Sequence, residues 1–105
     1  MRAKALVFIQ GQPPAIKQEI GEALRDVQKG IRLGLPLSRP MPEVASGAHE
    51  LRVRAATTTV RVFYFVTLAD TIVVFHGFQK QTQKTPKHEI AVGRQRLKEV
   101  LHGHG

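Results

Sequence analysis

The stretch that most constrains the fold of this 105-residue chain is residues 60–86. It contains two apolar segments, residues 60–67 and 71–78, whose β-branched and aromatic side chains predict two strands. A polar loop with two lysines follows and ends at Thr85 and Pro86, which favour the start of a helix with Thr85 as its N-cap. The stretch therefore predicts a strand pair whose basic end lies beside a helix.

The remaining segments add two strands and a helix to this unit. Residues 3–9 are an apolar run that ends at glycine and proline, which predicts a first strand. From Pro14 apolar side chains recur at the spacing of a helix that two glycines end; these are Ile16, Ile20, Leu24, Val27 and Ile31. Residues 35–47 contain three prolines and predict a loop, whereas residues 49–54 alternate as a strand with a mostly basic face.

The expected element order is strand, helix, loop, three strands and helix. Closely linked consecutive strands favour an antiparallel meander. We therefore expect an α+β fold, with a small antiparallel sheet of about four strands and helices packed on one face. The length predicts one domain over residues 1–105, with residues 101–105 as a disordered tail.

The charge of the chain restricts its partners. Sixteen Lys and Arg face eight Asp and Glu, for a formal charge of +8, which favours a polyanion or an acidic protein as partner. The absence of cysteine excludes disulfides and thiolate metal sites. No apolar run approaches the roughly 20 residues of a membrane span, and the first apolar run is too short for a signal peptide, so we expect a cytoplasmic protein without membrane contact.

Four short motifs resemble the phage-derived HigB-like branch of the RelE/ParE toxin superfamily. They are ELR at residues 50–52, RVFY at 61–64, HGFQK at 76–80 and TQKTP at 82–86. The resemblance covers roughly residues 35–101, although Gln81 stands where relatives commonly have a second lysine. It implies a RelE-like fold and a toxin that cleaves mRNA as an endoribonuclease, either at the ribosome or free. It also implies a cognate antitoxin, often a helix-turn-helix protein, and no cofactor or metal.

The side chains themselves fit RNA cleavage without a metal. The 2′-hydroxyl of the substrate is then the nucleophile, so the protein must remove its proton, stabilise the phosphate charge and protonate the leaving 5′-oxygen. Arginine suits the phosphate, and we expect this role for Arg61 with Arg52 as a second clamp. Lys80 or Lys84 is the candidate for proton transfer. We expect a further set of residues to contact RNA: Arg54, Tyr64 and His76.

Each candidate also has an ordinary structural interpretation. Lysines in a polar loop and arginines on an alternating strand are common on solvated surfaces. His76 is predicted to share a strand face with Ile72, Val74 and Phe78, and a histidine among apolar residues is more often part of a core. Two other functions therefore stay open: a basic nucleic-acid-binding module without catalysis, and a ParE-like toxin that poisons gyrase. Cleaved mRNA indicates the nuclease, whereas trapped gyrase–DNA complexes indicate the poison.

Overall fold

The computed structural model describes residues 3–67, 69, 71–81 and 84–102. Its elements, in chain order, are the helices α1 (Ala3–Gln10) and α2 (Pro14–Gln28), the strands β1 (Ser38–Pro40), β2 (Ala48–Arg54), β3 (Thr59–Val66) and β4 (Ile72–Lys80), and the helix α3 (Lys87–Leu101). The strands form one antiparallel sheet in the order β1-β2-β3-β4. The predicted α+β fold, with its meander and its helices packed on the sheet, is confirmed. Within the predicted tail and the TQKTP motif, residues 103–105 and 82–83 lie outside the described residues.

The prediction of a strand at residues 3–9 is wrong, because this segment forms α1. A strand would bury alternate side chains, yet Val7 is 68% exposed between the buried Ala5 and Ile9. Burial of Ala5 and Ile9 with partial burial of Phe8 follows the i, i+3, i+4 spacing of a helix. A run this short does not distinguish a helix from a strand by its pattern, and here the packing of α1 against β4 decides.

The segment predicted as a loop at residues 35–47 contains the short strand β1, so that prediction is wrong in part. Ser38 pairs with Leu51 and Pro40 with His49. A strand of three residues that ends in proline leaves no alternation in the sequence, and only its pairing with β2 reveals it. Helix α2 agrees with its prediction, except that Ile31 lies beyond its end and is exposed.

Alternation along the strands divides the core into two clusters. Helices α1 and α2 share one face of the sheet, where Ile16 and Ile20 pack with Val60 and Val62 of β3. Phe63, the residue after Val62, points to the other face of the sheet and belongs to a second cluster with Leu97 of α3. Helix α3 approaches this cluster closely at Gly93, where an added Cβ would lie 2.7 Å from the Phe63 ring. Among the described residues no helix is long and apolar enough to cross a membrane.

A β-bulge in β4 corrects the predicted face of His76. Phe63 pairs with His76, but the next residue, Tyr64, pairs with Val74, so Phe75 is an extra residue. Val74 consequently packs with α1 and α2, whereas His76 lies against the Phe63 ring of the second cluster. The sequence predicts a shared face for His76 and Val74 because it shows no sign of the inserted residue.

Candidate nucleic-acid interface

Antiparallel pairing places the predicted cations beside one another on the sheet face that also carries Phe63. Arg52 of β2 is the direct partner of Arg61 in β3. Thr59 of β3 pairs with Arg54 on one side and with Lys80 on the other. Directly opposed side chains have Cβ atoms about 4.5–5.5 Å apart, and like charges at that distance repel. The Arg52–Arg61 pair therefore requires a nearby negative charge.

Glu50 supplies this charge from the same face of β2. Its side chain has 0% exposure. The Nε of Arg52 donates to its Oε1 over 2.6 Å, and the Nε of Arg39 lies 3.5 Å from the same oxygen. The other oxygen, Oε2, is 3.9 Å from Nη1 of Arg61. One buried carboxylate is thus surrounded by three arginines.

Thr85, in the loop before α3, completes this arrangement. We call these five residues together the arginine group: Arg39, Glu50, Arg52, Arg61 and Thr85. Its buried hydroxyl donates to Oε2 of Glu50 over 2.7 Å. It also accepts hydrogen bonds from Nη1 of Arg61 at 3.3 Å and from Nη2 of Arg39 at 3.4 Å. The predicted N-cap role of Thr85 is wrong, since α3 begins at Lys87 after Pro86 and has no side-chain cap bond. Engagement with Glu50 takes its hydroxyl away from the helix.

Arg61, the predicted phosphate ligand, lies beneath the surface with 1% exposure. Its guanidinium lies 6.0 Å from the ring centroid of Phe78, within reach of a cation–π interaction. Burial lowers the pKa of Arg61, the carboxylate of Glu50 opposes this shift, and the nearby Arg52 and Arg39 add to it. Arginine is nevertheless always protonated in proteins, so Arg61 adds a fixed positive charge behind the surface.

A cleft of about 610 Å³ opens over the arginine group. It is lined by Glu19, Pro36, Leu37, Arg52, Arg54, Thr59, Arg61 and Gln81. Three arginines against one glutamate give its lining a positive excess. The structure thus brings together three of the predicted site residues, Arg52, Arg54 and Arg61, at one concave surface.

The two predicted proton-transfer residues, Lys80 and Lys84, do not line this cleft. Both are exposed, and the ammonium of Lys80 lies 4.0 Å from Oε2 of Glu89 in α3. Lys84 immediately precedes Thr85, so the buried hydroxyl of Thr85 restrains the backbone next to it. Both lysines are therefore placed on the rim of the arginine group rather than within it.

The side chain of His76, a predicted RNA contact in β4, is buried between the sheet and α3. Nη1 of Arg96 lies 2.7 Å from its Nδ1, and Oε1 of Glu89 lies 2.8 Å from its Nε2. Arginine only donates, so Nδ1 accepts and Nε2–H donates to Glu89. Burial lowers the pKa of His76; the bond to Glu89 opposes this shift, and the charges of Arg96 and His88 reinforce it. The structure places His76 as a neutral link between the sheet and α3.

Tyr64, another predicted RNA contact, lies on the face of the sheet opposite the arginines. Its hydroxyl is 2.8 Å from Oγ of Ser38, and its ring stacks on His49 with centroids 5.3 Å apart. Burial raises the pKa of Tyr64, while the bond to Ser38 opposes the shift. The packing of Tyr64 with α1 and α2 keeps it apart from Arg52 and Arg61.

Three members of the arginine group were not predicted as site residues: Arg39, Glu50 and Thr85. A signal existed for Glu50, because it alternates with Arg52 and Arg54 and so had to share their face. Arg39 depends on β1, which the sequence does not reveal. Within the described part of the chain, no group of three or more His, Cys, Asp or Glu side chains could hold a metal ion.

Comparison with protein families matches residues 7–98 to the family described as phage derived protein Gp49-like (DUF891). This match covers most of the chain and includes α2, the sheet and most of α3. Comparison with curated proteins and with solved structures gave no match.

Proposed function

Since the chain belongs to the phage-derived Gp49-like family, a toxin-like family, we propose that it is the toxin of a toxin–antitoxin module and cleaves mRNA. In this proposal it is a metal-independent endoribonuclease of the HigB-like branch that acts at the ribosome in the cytoplasm. A cognate antitoxin, a helix-turn-helix protein, holds it inactive. The observation that most supports the proposal is the cleft shared by Arg52, Arg54 and Arg61.

The charge of the cleft favours an RNA backbone as its ligand. Arginine presents planar, permanently charged donors that match phosphate oxygens in pairs. Glu50 compensates only one of the cations around it, and its own oxygens are occupied by Arg52 and Thr85. A phosphate that enters the cleft therefore meets a positive excess, and the exposed Lys80 and Lys84 are further cations on the rim.

The proposed reaction begins when the 2′-hydroxyl of a bound nucleotide attacks the adjacent phosphorus. The O–P bond to the 5′-oxygen of the next nucleotide breaks, and a 2′,3′-cyclic phosphate and a 5′-hydroxyl form. One of Lys80 and Lys84, in its neutral amine form, accepts the 2′-hydroxyl proton, and the other lysine, as an ammonium, donates a proton to the leaving oxygen. Arg52 binds the phosphate directly, while the buried Arg61 stabilises its growing negative charge from behind.

Translation of a reporter mRNA in a cell-free system tests this proposal. We expect added protein to stop translation and to create new 5′-hydroxyl ends in the mRNA. Arg52→Ala should slow cleavage by about 100-fold, the typical effect of removing one group that stabilises transition-state charge. Lys98→Ala is the matched control, because it removes one exposed cation of α3 outside the cleft and should cleave as the wild type does.

Three results would contradict the proposal. Intact mRNA together with trapped gyrase–DNA complexes would indicate a gyrase poison. Intact mRNA that binds the protein would indicate a nucleic-acid-binding module without catalysis. Equal rates for the wild type, Arg52→Ala and Lys98→Ala would remove the arginine cleft from the mechanism.

A further inference from the structure

We infer that Thr85 and Glu50 are positioning residues for RNA cleavage, which together fix the direction of Arg52 and the place of Lys84. This inference rests on the proposed endoribonuclease function. Neither residue needs to touch the RNA, since both are buried behind the cleft. Their role follows from the way in which one hydroxyl and one carboxylate join β1, β2, β3 and the loop before α3.

The hydroxyl of Thr85 has only one possible arrangement of its hydrogen bonds. A hydroxyl offers one donor and two acceptor lone pairs. Arg39 and Arg61 have no acceptor, so they occupy the two lone pairs, and the proton must point to Glu50. All three positions are in use, which locks the rotation of the hydroxyl and ties the loop to three strands.

The same bond fixes Arg52 through Glu50. Oε2 of the carboxylate accepts a hydrogen bond from the Thr85 hydroxyl over 2.7 Å, and Oε1 accepts one from the Nε–H of Arg52 over 2.6 Å. A carboxylate held at both oxygens has a fixed plane, so the planar guanidinium bound to it has a fixed direction as well. Loss of the Thr85 bond would free Glu50 to rotate and Arg52 to follow it.

Lys84 depends on Thr85 through the backbone. Consecutive Cα atoms lie about 3.8 Å apart, so a residue whose neighbour is held by buried bonds has little freedom of position. Lys84 itself is exposed and carries its ammonium on a flexible stem, so the backbone is the part that Thr85 can hold. A displacement of about 1 Å in a catalytic group can cost about 100-fold in rate.

Two substitutions of nearly equal shape separate the hydroxyl from the rest of the side chain. Thr85→Val removes the hydroxyl and keeps the branched shape, and Thr85→Ser keeps the hydroxyl and loses a methyl group. We expect kcat to fall at least about tenfold in Thr85→Val while KM changes less than about threefold, because every cation remains. Thr85→Ser should restore kcat to within about threefold of the wild type.

Binding of a 2′-O-methyl RNA gives a second readout that needs no cleavage, because this RNA lacks the nucleophile. Its affinity for Thr85→Val should stay within about threefold of the wild-type affinity, as phosphate binding depends mainly on the number of cations. Circular dichroism at the assay temperature confirms that each variant is folded. A loss of affinity parallel to the loss of kcat would overturn the inference, since it would show general damage to the site.

The remaining outcomes are distinct for the inference and for the proposed function. A wild type that cleaves mRNA and a Thr85→Val variant with the same kcat would overturn the positioning role alone. Equal losses in Thr85→Ser and Thr85→Val would also overturn it, because the methyl contact and not the hydroxyl would then matter. A folded wild type that leaves all RNA intact would overturn the proposed function and the positioning role with it.

Discussion

Replacement of Glu50 with alanine should lower the free energy of unfolding by about 3–5 kcal/mol, the usual cost of removing one partner from a buried ion pair. The largest part comes from Arg61, which has 1% exposure and lies 3.9 Å from the carboxylate. At an effective dielectric constant of about 20, a pair at this distance attracts by roughly 4 kcal/mol. Arg39 and Arg52 retain 30% and 24% exposure of their side chains, so water compensates part of their loss.

Urea unfolding followed by circular dichroism measures this change, with two variants as references. Glu50→Gln keeps an acceptor for Arg52 and should lose only about 1–3 kcal/mol. Glu43→Ala removes a carboxylate of 44% exposure whose ion pair with Arg39 spans 3.9 Å, and it should stay within about 0.5 kcal/mol of the wild type. If Glu50→Ala costs no more than Glu43→Ala, the assignment of Glu50 as the centre of the arginine group is refuted.

Three further predictions test the packing and the electrostatics. Gly93→Ala should lose about 1–3 kcal/mol, because the new Cβ would lie 2.7 Å from an aromatic ring of the core. Gly21→Ala has open space in α2 and should gain about 0.5–1 kcal/mol, and urea unfolding that gives the reverse order would contradict the packing of α3. Because the pKa of His76 is lowered from its usual 6.5, its contribution to stability is complete above pH 6.5 and is lost as the pH falls below it, when the unfolded chain takes up the proton. His76→Gln should flatten this acid limb in unfolding measured against pH, and an unchanged slope would exclude His76 as its source. Tyr64→Phe should cost about 1 kcal/mol through the lost bond to Ser38 and leave RNA affinity unchanged, whereas weaker RNA binding would contradict the separation of the two faces.

The sequence alone predicts three of the strands and two of the helices, because each has a side-chain pattern that repeats over more than one period. These elements are β2, β3, β4, α2 and α3. Residues 49–54 alternate and form β2, and the spacing from Ile16 to Val27 matches α2. The sequence does not predict helix α1, because its composition suits a strand and only the contact with β4 selects the helix. Strand β1 has three residues and exists through its pairing with β2 alone.

The candidate site divides in the same way between local and tertiary information. Alternation alone places Arg52, Arg54 and Glu50 on one face. Alternation also places Tyr64 and Arg61 on opposite faces of the sheet. Side chains on one face are separated by an odd number of residues, whereas two residues lie between Arg61 and Tyr64. The bulge before His76 and the bond from Thr85 to Glu50 are tertiary features. The bulge is seen only in the pairing of β3 with β4, and the bond exists only once the loop before α3 lies against the sheet.

The polarity of the cleft follows from the ratio of charges around Glu50. One carboxylate compensates one of three arginines, and the most deeply buried of them, Arg61, has the strongest need for it. Three arginines and one carboxylate leave an excess of two positive charges, and this excess faces solvent through Arg39 and Arg52, whose side chains are 30% and 24% exposed. Arg54 extends the same charge along β2 into the cleft. The carboxylate that permits Arg61 to be buried thus compensates only part of the charge of the three arginines, and the positive surface that remains is the one proposed to bind an RNA phosphate.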